Sequence, residues 1–335
     1  IDIPLRSGHR AADHGLRRRR GVIVAVSDAG LTGWGEFVEL PGYSPETTET
    51  ALASLAGSPL THSNPMAVSA RRTAELDLEA KTRGVSLAEL LGASPGRVAT
   101  GAVVARFGDL AATLSEAAER VAEGYRKLKI KVGPGFDLEP LAELRNRYPD
   151  LALAADANGA YRPGEVPSGL DEVDLVYLEQ PYRPETGWEA FARLRANLST
   201  PICLDESITG LPTLRSAIAA AACDVVNVKP ARLVGLRAAV EIHDLAVDAG
   251  LGLVVGGLLE TGIGRAASAA LARLPGFTFP ADLSASQRYW ERDLTIPSWE
   301  LVDGTLEVMD RPGIGVEVDA DYLDEIAESR HSLPH

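Results

Sequence analysis

The chain has 335 residues, 33 of them basic and 47 acidic, for a formal net charge of −14, with 45% hydrophobic and 24% charged side chains. That size and balance suit a large barrel with something smaller beside it, and exclude disorder or a coiled coil as the main character. The acidity argues against a nucleic-acid partner, and the one basic run, Arg17–Arg20, is short. Gly21–Ser27 alternates apolar and smaller residues, Asp28-Ala29-Gly30 turns the chain, and Thr32–Glu36 returns it, which predicts an antiparallel hairpin. Pro45-Glu46 opens a helical stretch and Ala67–Lys81 has helical spacing, so residues 1–97 read as an α+β module.

From Gly101 onward short β-branched runs recur: Val103-Val104, Leu128–Val132, Leu151–Ala155, Leu175–Leu178, Ile202–Leu204, Val225–Val228, Leu253–Val255 and, weakly, Phe277–Ala281. Helical periods at Leu110–Glu123, Ala190–Leu198 and Leu233–Ala249 separate them, and eight strands over residues 98–297 is what a closed barrel needs. A doubly wound open sheet competes, but no glycine-rich turn follows the first strand. After Leu294, strand-like pieces at Trp299–Val302, Leu306–Met309 and Val316–Val318 suggest that residues 298–335 return to the first module, with a polar tail that frays. Cys203 and Cys223 lie in apolar segments and read as buried free thiols of a reducing, cytoplasmic compartment. No apolar run reaches about 20 residues, so neither a membrane span nor a signal peptide is expected.

Asp156, Glu179 and Asp205 end three successive strands, which in a barrel converge on one rim. Three carboxylates at such range repel, and a hard divalent cation is the natural compensation, Mg²⁺ first and Mn²⁺ as a substitute. Lys127, Lys129 and Lys131 share one face of the second barrel strand, where ammonium groups are expensive; surface snorkelling suits Lys127 best. Lys229 ends the sixth strand, across the ring. Two facing cations with a metal between their strands suit proton removal next to a carboxylate, with Lys131 as base and Lys129 lowering its pKa by like charge. In Gly256-Gly257-Leu258-Leu259-Glu260, the glycines would leave amides free to hold an anionic oxygen, and Glu260 is either a partner to the ligands or a buried helix-start carboxylate. His9, His14, His62 and His243 have no ligand spacing and read as surface or cap residues. No serine has a supporting His–Asp arrangement, which leaves a serine hydrolase little behind it.

These segments carry a resemblance. Gly33-Trp34-Gly35-Glu36, Lys129-Ile130-Lys131-Val132-Gly133, Asp156-Ala157-Asn158, Leu178-Glu179-Gln180-Pro181, Asp205-Glu206-Ser207, Val228-Lys229-Pro230 and Gly256–Gly262 run through nearly the whole chain in order. The chain resembles the enolase superfamily in its muconate-lactonizing subgroup, and within it the o-succinylbenzoate synthases of menaquinone biosynthesis. The resemblance implies an α/β fold, a modified TIM barrel (β/α)₇β under an α+β capping domain. It implies Asp156, Glu179 and Asp205 as Mg²⁺ ligands, Lys131 as general base, Lys229 as the opposite lysine, and Asn158 and Glu206 bracing the ligands. The loop around Leu5–Leu16 and the turn at Gly42-Tyr43 would close over a small dicarboxylate substrate, which the cation-rich Arg6-Ser7-Gly8-His9-Arg10, Arg10 included, also suits. Racemases of N-acylamino acids and dipeptide epimerases share the frame, but epimerases of this type carry an Asp-x-Asp where this chain has Ala281-Asp282-Leu283-Ser284. A non-catalytic barrel would lack a lysine or an acid, and none is missing. The oligomeric state is left open.

Overall fold

Residues 1–6, 17–57, 64–105 and 108–332 are described by the structure, a computed structural model. The alternating valines form a three-stranded antiparallel sheet of β1 (Asp2–Pro4), β2 (Arg18–Asp28) and β3 (Leu31–Val38). Ala29 and Gly30, both at positive φ (48° and 82°), make the two-residue hairpin turn. Helix α1 (Thr48–Ala56) is capped by the Thr47 side chain, and α2 (Pro65–Arg83) begins on a proline and ends on left-handed Gly84. Helix α2 packs directly on β3 because Gly33 and Gly35 carry no Cβ: one added there would stand 2.1 Å from the Ala74 carbonyl oxygen and 1.9 Å from that of Ala70. A short α3 (Leu87–Leu90) follows.

The chain then runs through β4 (Gly96–Ala99), β5 (Ala102–Val104), α4 (Leu110–Glu123), β6 (Lys127–Lys131), α5 (Leu138–Arg147), β7 (Ala152–Asp156) and β8 (Tyr177–Glu179). After these come α6 (Trp188–Asn197), β9 (Ile202–Leu204), α7 (Leu211–Ala219), β10 (Val225–Val228), α8 (Leu236–Asp248), β11 (Gly252–Val255) and α9 (Gly262–Leu271). Strands β5 to β11 form one curled parallel sheet in sequential order, the modified TIM barrel expected. The eighth expected strand is reduced to single bridges: Phe277 to Leu253 and Asp282 to Gly256 on one side, Ala281 to Thr100 on the other. Pro280 has no amide to give to a ladder, which accounts for the broken strand. The segment still spans the gap between β11 and the chain entering β5, with Asp282 N donating to Val255 O at 2.8 Å and Ala281 N to Ala99 O at 2.9 Å.

Strand alternation sorts the side chains. Leu128, Ile130, Leu153, Ala155, Leu178, Val226 and Leu253 join the main core with the surrounding helices. Ala154, Tyr177, Cys203, Val225 and Val254 form a separate apolar cluster in the barrel interior. One inward position further along β7 to β10 come Asp156, Glu179, Asp205 and Asn227, so the interior turns from apolar to polar and charged toward the C-terminal rim.

The C-terminal segment contains β12 (Thr295–Ile296), β13 (Thr305–Val308), β14 (Glu317–Val318) and α10 (Ala320–Ile326). Strand β13 pairs with β4 and β12 with β14, and Asp77 of α2 accepts from both Trp34 N (2.8 Å) and Ile314 N (2.7 Å), tying the returning chain to the cap. Trp299–Val302 is not a strand; Trp299 is anchored instead by its indole to Gly262 O and its amide to Ser286 Oγ, both at 3.1 Å. No helix among the described residues is long and apolar enough to cross a membrane.

Candidate active site

A cleft of about 370 Å³ opens at the rim, lined by Lys129, Lys131, Asp156, Asn158, Glu206 and Lys229 from the barrel and by Leu40–Tyr43 from the cap. Gly257, Leu258 and Glu260 also line it, whereas Glu179 and Asp205 are fully buried beneath it. Strands β6 and β10, which carry the two rim lysines, are four positions apart in a ring of eight and so stand on opposite sides.

Register places the groups. Lys131 pairs across the sheet with Asp156, and Asp156 with Glu179. Lys131 Nζ lies 2.8 Å from Asp156 Oδ2 and donates also to Asn158 Oδ1. Lys229 Nζ donates to Asp205 Oδ2 at 2.5 Å, and burial, the largest influence and one that pulls its pKa down, is outweighed by Asp205 and Tyr43 together, so the lysine stays above its ordinary value. Lys129 is not free to act as an unscreened like charge on Lys131. It stands 2.9 Å from Glu179, 2.8 Å from Asp282 and 3.5 Å from Asp156, and these carboxylates raise its pKa against the pull of burial. Lys127 does not snorkel: it is fully buried, donating to Asp282 Oδ1 at 2.9 Å and Pro280 O at 2.8 Å.

As placed, each of the three carboxylates is turned onto a cation, and among the described residues no three His, Cys, Asp or Glu side chains close into a metal cage. The donor chemistry nevertheless fits a hard divalent cation. Glu179 is pushed up to about 8, first by burial and then, against Lys129, by Asp156 and Asp205, whereas burial of Asp156 and Asp205 is outweighed by the cations on them, which hold both below their ordinary values, so Glu179 is the carboxylate short of positive charge. Glu206, whose Oε1 accepts from Asn158 Nδ2 at 2.9 Å, keeps a buried Oε2 without a hydrogen-bond partner at the same rim, and burial raises its pKa as well.

The glycine-rich turn works by making room. The Gly256 amide is bonded to Val228 O at 3.1 Å, and a Cβ there would stand 2.3 Å from Asn227 Oδ1 and 2.6 Å from Lys229 Cε. Glu260 is a buried carboxylate one residue before the Thr261 that caps α9, with its pKa raised by burial. Glu36, from the Gly-Trp-Gly-Glu segment, docks the cap there: it accepts from Thr261 N and Gly264 N at 3.0 Å and from Thr261 Oγ1 at 2.7 Å, and pairs with buried Arg19. Arg10, His9, His14 and His62 lie outside the described residues; His243 is not a surface residue but is buried, receiving Gly276 N on Nε2 at 3.3 Å.

Several groups at the site had no role that the sequence pattern assigned, although Gln180 lies within the Leu178-Glu179-Gln180-Pro181 segment. Arg232 donates to Asp205 Oδ1, to Tyr43 Oη at 2.6 Å and to Ile208 O at 2.9 Å. Gln180 accepts the amides of Asp205 and Ser207 at 3.0 and 3.2 Å and so shapes the turn that carries the third carboxylate. Arg183, Arg265 and Arg288 add cations to the cleft wall, the last two stacked on Tyr289 at 5.5 and 5.4 Å. Asn158, Gln180 and Leu259 all have positive φ and all line the cleft.

Comparison with known proteins identifies the family. Residues 112–322 match the family model described as "Enolase C-terminal domain-like", and residues 1–73 match "MenC, N-terminal domain". The chain belongs to the enolase superfamily. Membership makes it an enzyme of lyase or isomerase type, with enolate chemistry that uses a divalent metal. Among superfamily relatives, it is 38% identical to the o-succinylbenzoate synthase of Bacillus subtilis (92% of this chain, 89% of the relative) and 36% identical to the N-succinylamino acid racemase of Thermus thermophilus (97% and 95%). The crystal structure of an enolase-superfamily member from Listeria innocua superposes with a TM-score of 0.90 at 30% identity, covering 98% of this chain and 95% of that one.

Proposed function

We propose that the chain is an o-succinylbenzoate synthase, removing water from 2-succinyl-6-hydroxy-2,4-cyclohexadiene-1-carboxylate to give 2-succinylbenzoate. The observation that carries this activity is that Lys131 and Lys229 line one cleft from opposite sides of the barrel, with Asp156, Glu179 and Asp205 on the strands between them. We assign residues 98–297 to the catalytic barrel, and residues 1–97 with 298–335 to the cap. A divalent cation held by the three carboxylates, Mg²⁺ or Mn²⁺, would supply Lewis-acid stabilisation of negative charge on the substrate carboxylate.

Lys131, held by Asp156 and Asn158, takes the proton α to the ring carboxylate as the neutral amine. The same lysine, now an ammonium, returns that proton to the departing 6-hydroxyl on the same face. The C–H electron pair enters the ring, the C–O bond breaks, water leaves and the ring becomes aromatic. Lys229, kept cationic by Asp205, stabilises the enediolate charge from the other face. Arg183, Arg265 and Arg288 give the cleft the positive wall that a second carboxylate needs.

Racemisation of N-succinylamino acids is the second reading, favoured by the same two lysines and by the similarity to the Thermus protein. Epimerisation of free-amino dipeptides fits less well, since Asp282 is already bonded to Lys127 and Lys129. The test is ultraviolet detection of product from freshly prepared cyclohexadiene substrate with Mg²⁺, beside a metal-stripped control. Metal-dependent product is expected, with Lys131→Ala lowering turnover by about 10²–10⁴-fold. No product from folded, metal-loaded protein would reject the synthase in favour of the racemase, and full turnover by Lys131→Ala would reject the assigned base.

A further inference from the structure

The cap reaches one of the two lysines directly. Tyr43 lies in the loop between β3 and α1, its amide donating to Leu40 O at 3.1 Å. The loop is braced by Glu39, which accepts from Thr48 N and Oγ1 at 2.6 Å each. Glu46 ties it to the start of α2 through Met66 N and Ala67 N at 3.0 and 3.1 Å. From this braced loop the Tyr43 ring lies 4.6 Å from Lys229 Nζ, within cation–π range. Its hydroxyl accepts from Arg232 at 2.6 Å. Helix α2 holds the chain beyond the lysine as well, Ser69 Oγ donating to Pro230 O at 3.1 Å and Arg72 Nη1 to Val234 O at 3.2 Å. Among the described residues Lys131 makes no such ring contact.

We propose that Tyr43 is the cap's positioning residue for Lys229. Asp205 alone would draw the ammonium down into the rim; the ring holds it toward the cleft, which Tyr43 and Lys229 both line. In racemisation, where Lys229 as well as Lys131 moves a proton, transfer on the Lys229 face then depends on the cap loop, and transfer on the Lys131 face does not. The inference rests on the racemase reading above, in which both lysines exchange the α-proton.

The test follows solvent-deuterium exchange of the α-proton of N-succinyl-L-phenylalanine and N-succinyl-D-phenylalanine by proton NMR. The unsubstituted protein, Tyr43→Phe, Tyr43→Leu and Lys229→Ala are compared with Mg²⁺ present, and Lys229→Ala identifies the enantiomer that presents its proton to Lys229. Tyr43→Leu is expected to slow exchange of that enantiomer about tenfold or more and to leave the other within about twofold, while Tyr43→Phe, which keeps the ring, retains it. The unaffected enantiomer reports folding from within the same sample. Equal loss for both enantiomers would overturn the proposal, since a damaged fold spares neither face. Loss in Tyr43→Phe as deep as in Tyr43→Leu would overturn it too, because the hydroxyl and not the ring would then be the holding group. Exchange of neither enantiomer by the unsubstituted protein would reject the racemase reading, and this inference with it, and would leave the synthase reading to its own test.

Discussion

Asp282 holds two buried lysines, and for Lys127 it is the one carboxylate partner among the described residues. Its Oδ1 takes Lys127, its Oδ2 faces Lys129, and burial, which would raise its pKa, is overridden by both so that it falls to about 2. Replacing Asp282 by Asn leaves Lys127 fully buried without an anionic partner, with only the Pro280 carbonyl, the Tyr177 ring and a neutral amide near it, a loss expected at about 3–5 kcal/mol in urea unfolding at pH 7. The sign in acid follows from the lowered pKa: the contribution is complete above the ordinary carboxylate range and disappears as pH falls toward about 2. The gap between the two proteins should therefore narrow from pH 5 to pH 2, and a constant gap would contradict the assignment. At this scale, strand alternation made Lys129 and Lys131 legible as sharing one face, and position at the strand ends did the same for Asp156 and Glu179. It could not show that Lys127 has a partner, because Asp282 is 155 residues away on the broken eighth strand. Arg232 was hidden for the same reason, and Gln180, although inside a legible motif, showed no role: each acts through loop geometry that no periodicity encodes.

Between elements, the decisive contact is α2 on β3. The obstacle to a side chain at Gly35 is the Ala70 backbone carbonyl, which no rotamer change can move aside. Gly35→Ala is expected to push the helix off the strand and cost about 1–3 kcal/mol in urea unfolding. Gly57→Ala makes the control, since φ there is −77° and the nearest atom to a new Cβ is 3.5 Å away; an equally large loss at Gly57 would mean that helix ends, and not the α2–β3 contact, are responsible. Seven barrel strands and helices such as α4 were readable because their period of two or 3.6 runs uninterrupted. The eighth strand and Trp299–Val302 were not, since proline in one and side-chain anchoring of Trp299 in the other break the ladder while leaving a strand-like composition. Gly-Trp-Gly-Glu was legible as a motif, yet its work, two close approaches to α2 and a carboxylate on the N-terminus of α9, appears only in three dimensions.

For the molecule as a whole, the carboxylate rim lies where cap and barrel meet, with Asp205 joined through Arg232 to Tyr43 of the cap. A divalent cation bound there would favour the folded chain over the unfolded one, which offers no converged rim. The linkage is quantitative: at free Mg²⁺ about 100-fold above its dissociation constant, the folded state gains about 2.7 kcal/mol. Thermal unfolding followed by circular dichroism should therefore shift upward with Mg²⁺ and return on adding a chelator. In Asp205→Asn the starting stability falls because Lys229 and Arg232 lose their shared carboxylate, so the informative quantity is the Mg²⁺-induced shift within each protein. That shift should shrink strongly in the variant. A shift of the same size in both proteins would place the cation elsewhere, and Asp205 would then be a purely structural anchor for the lysine opposite Lys131.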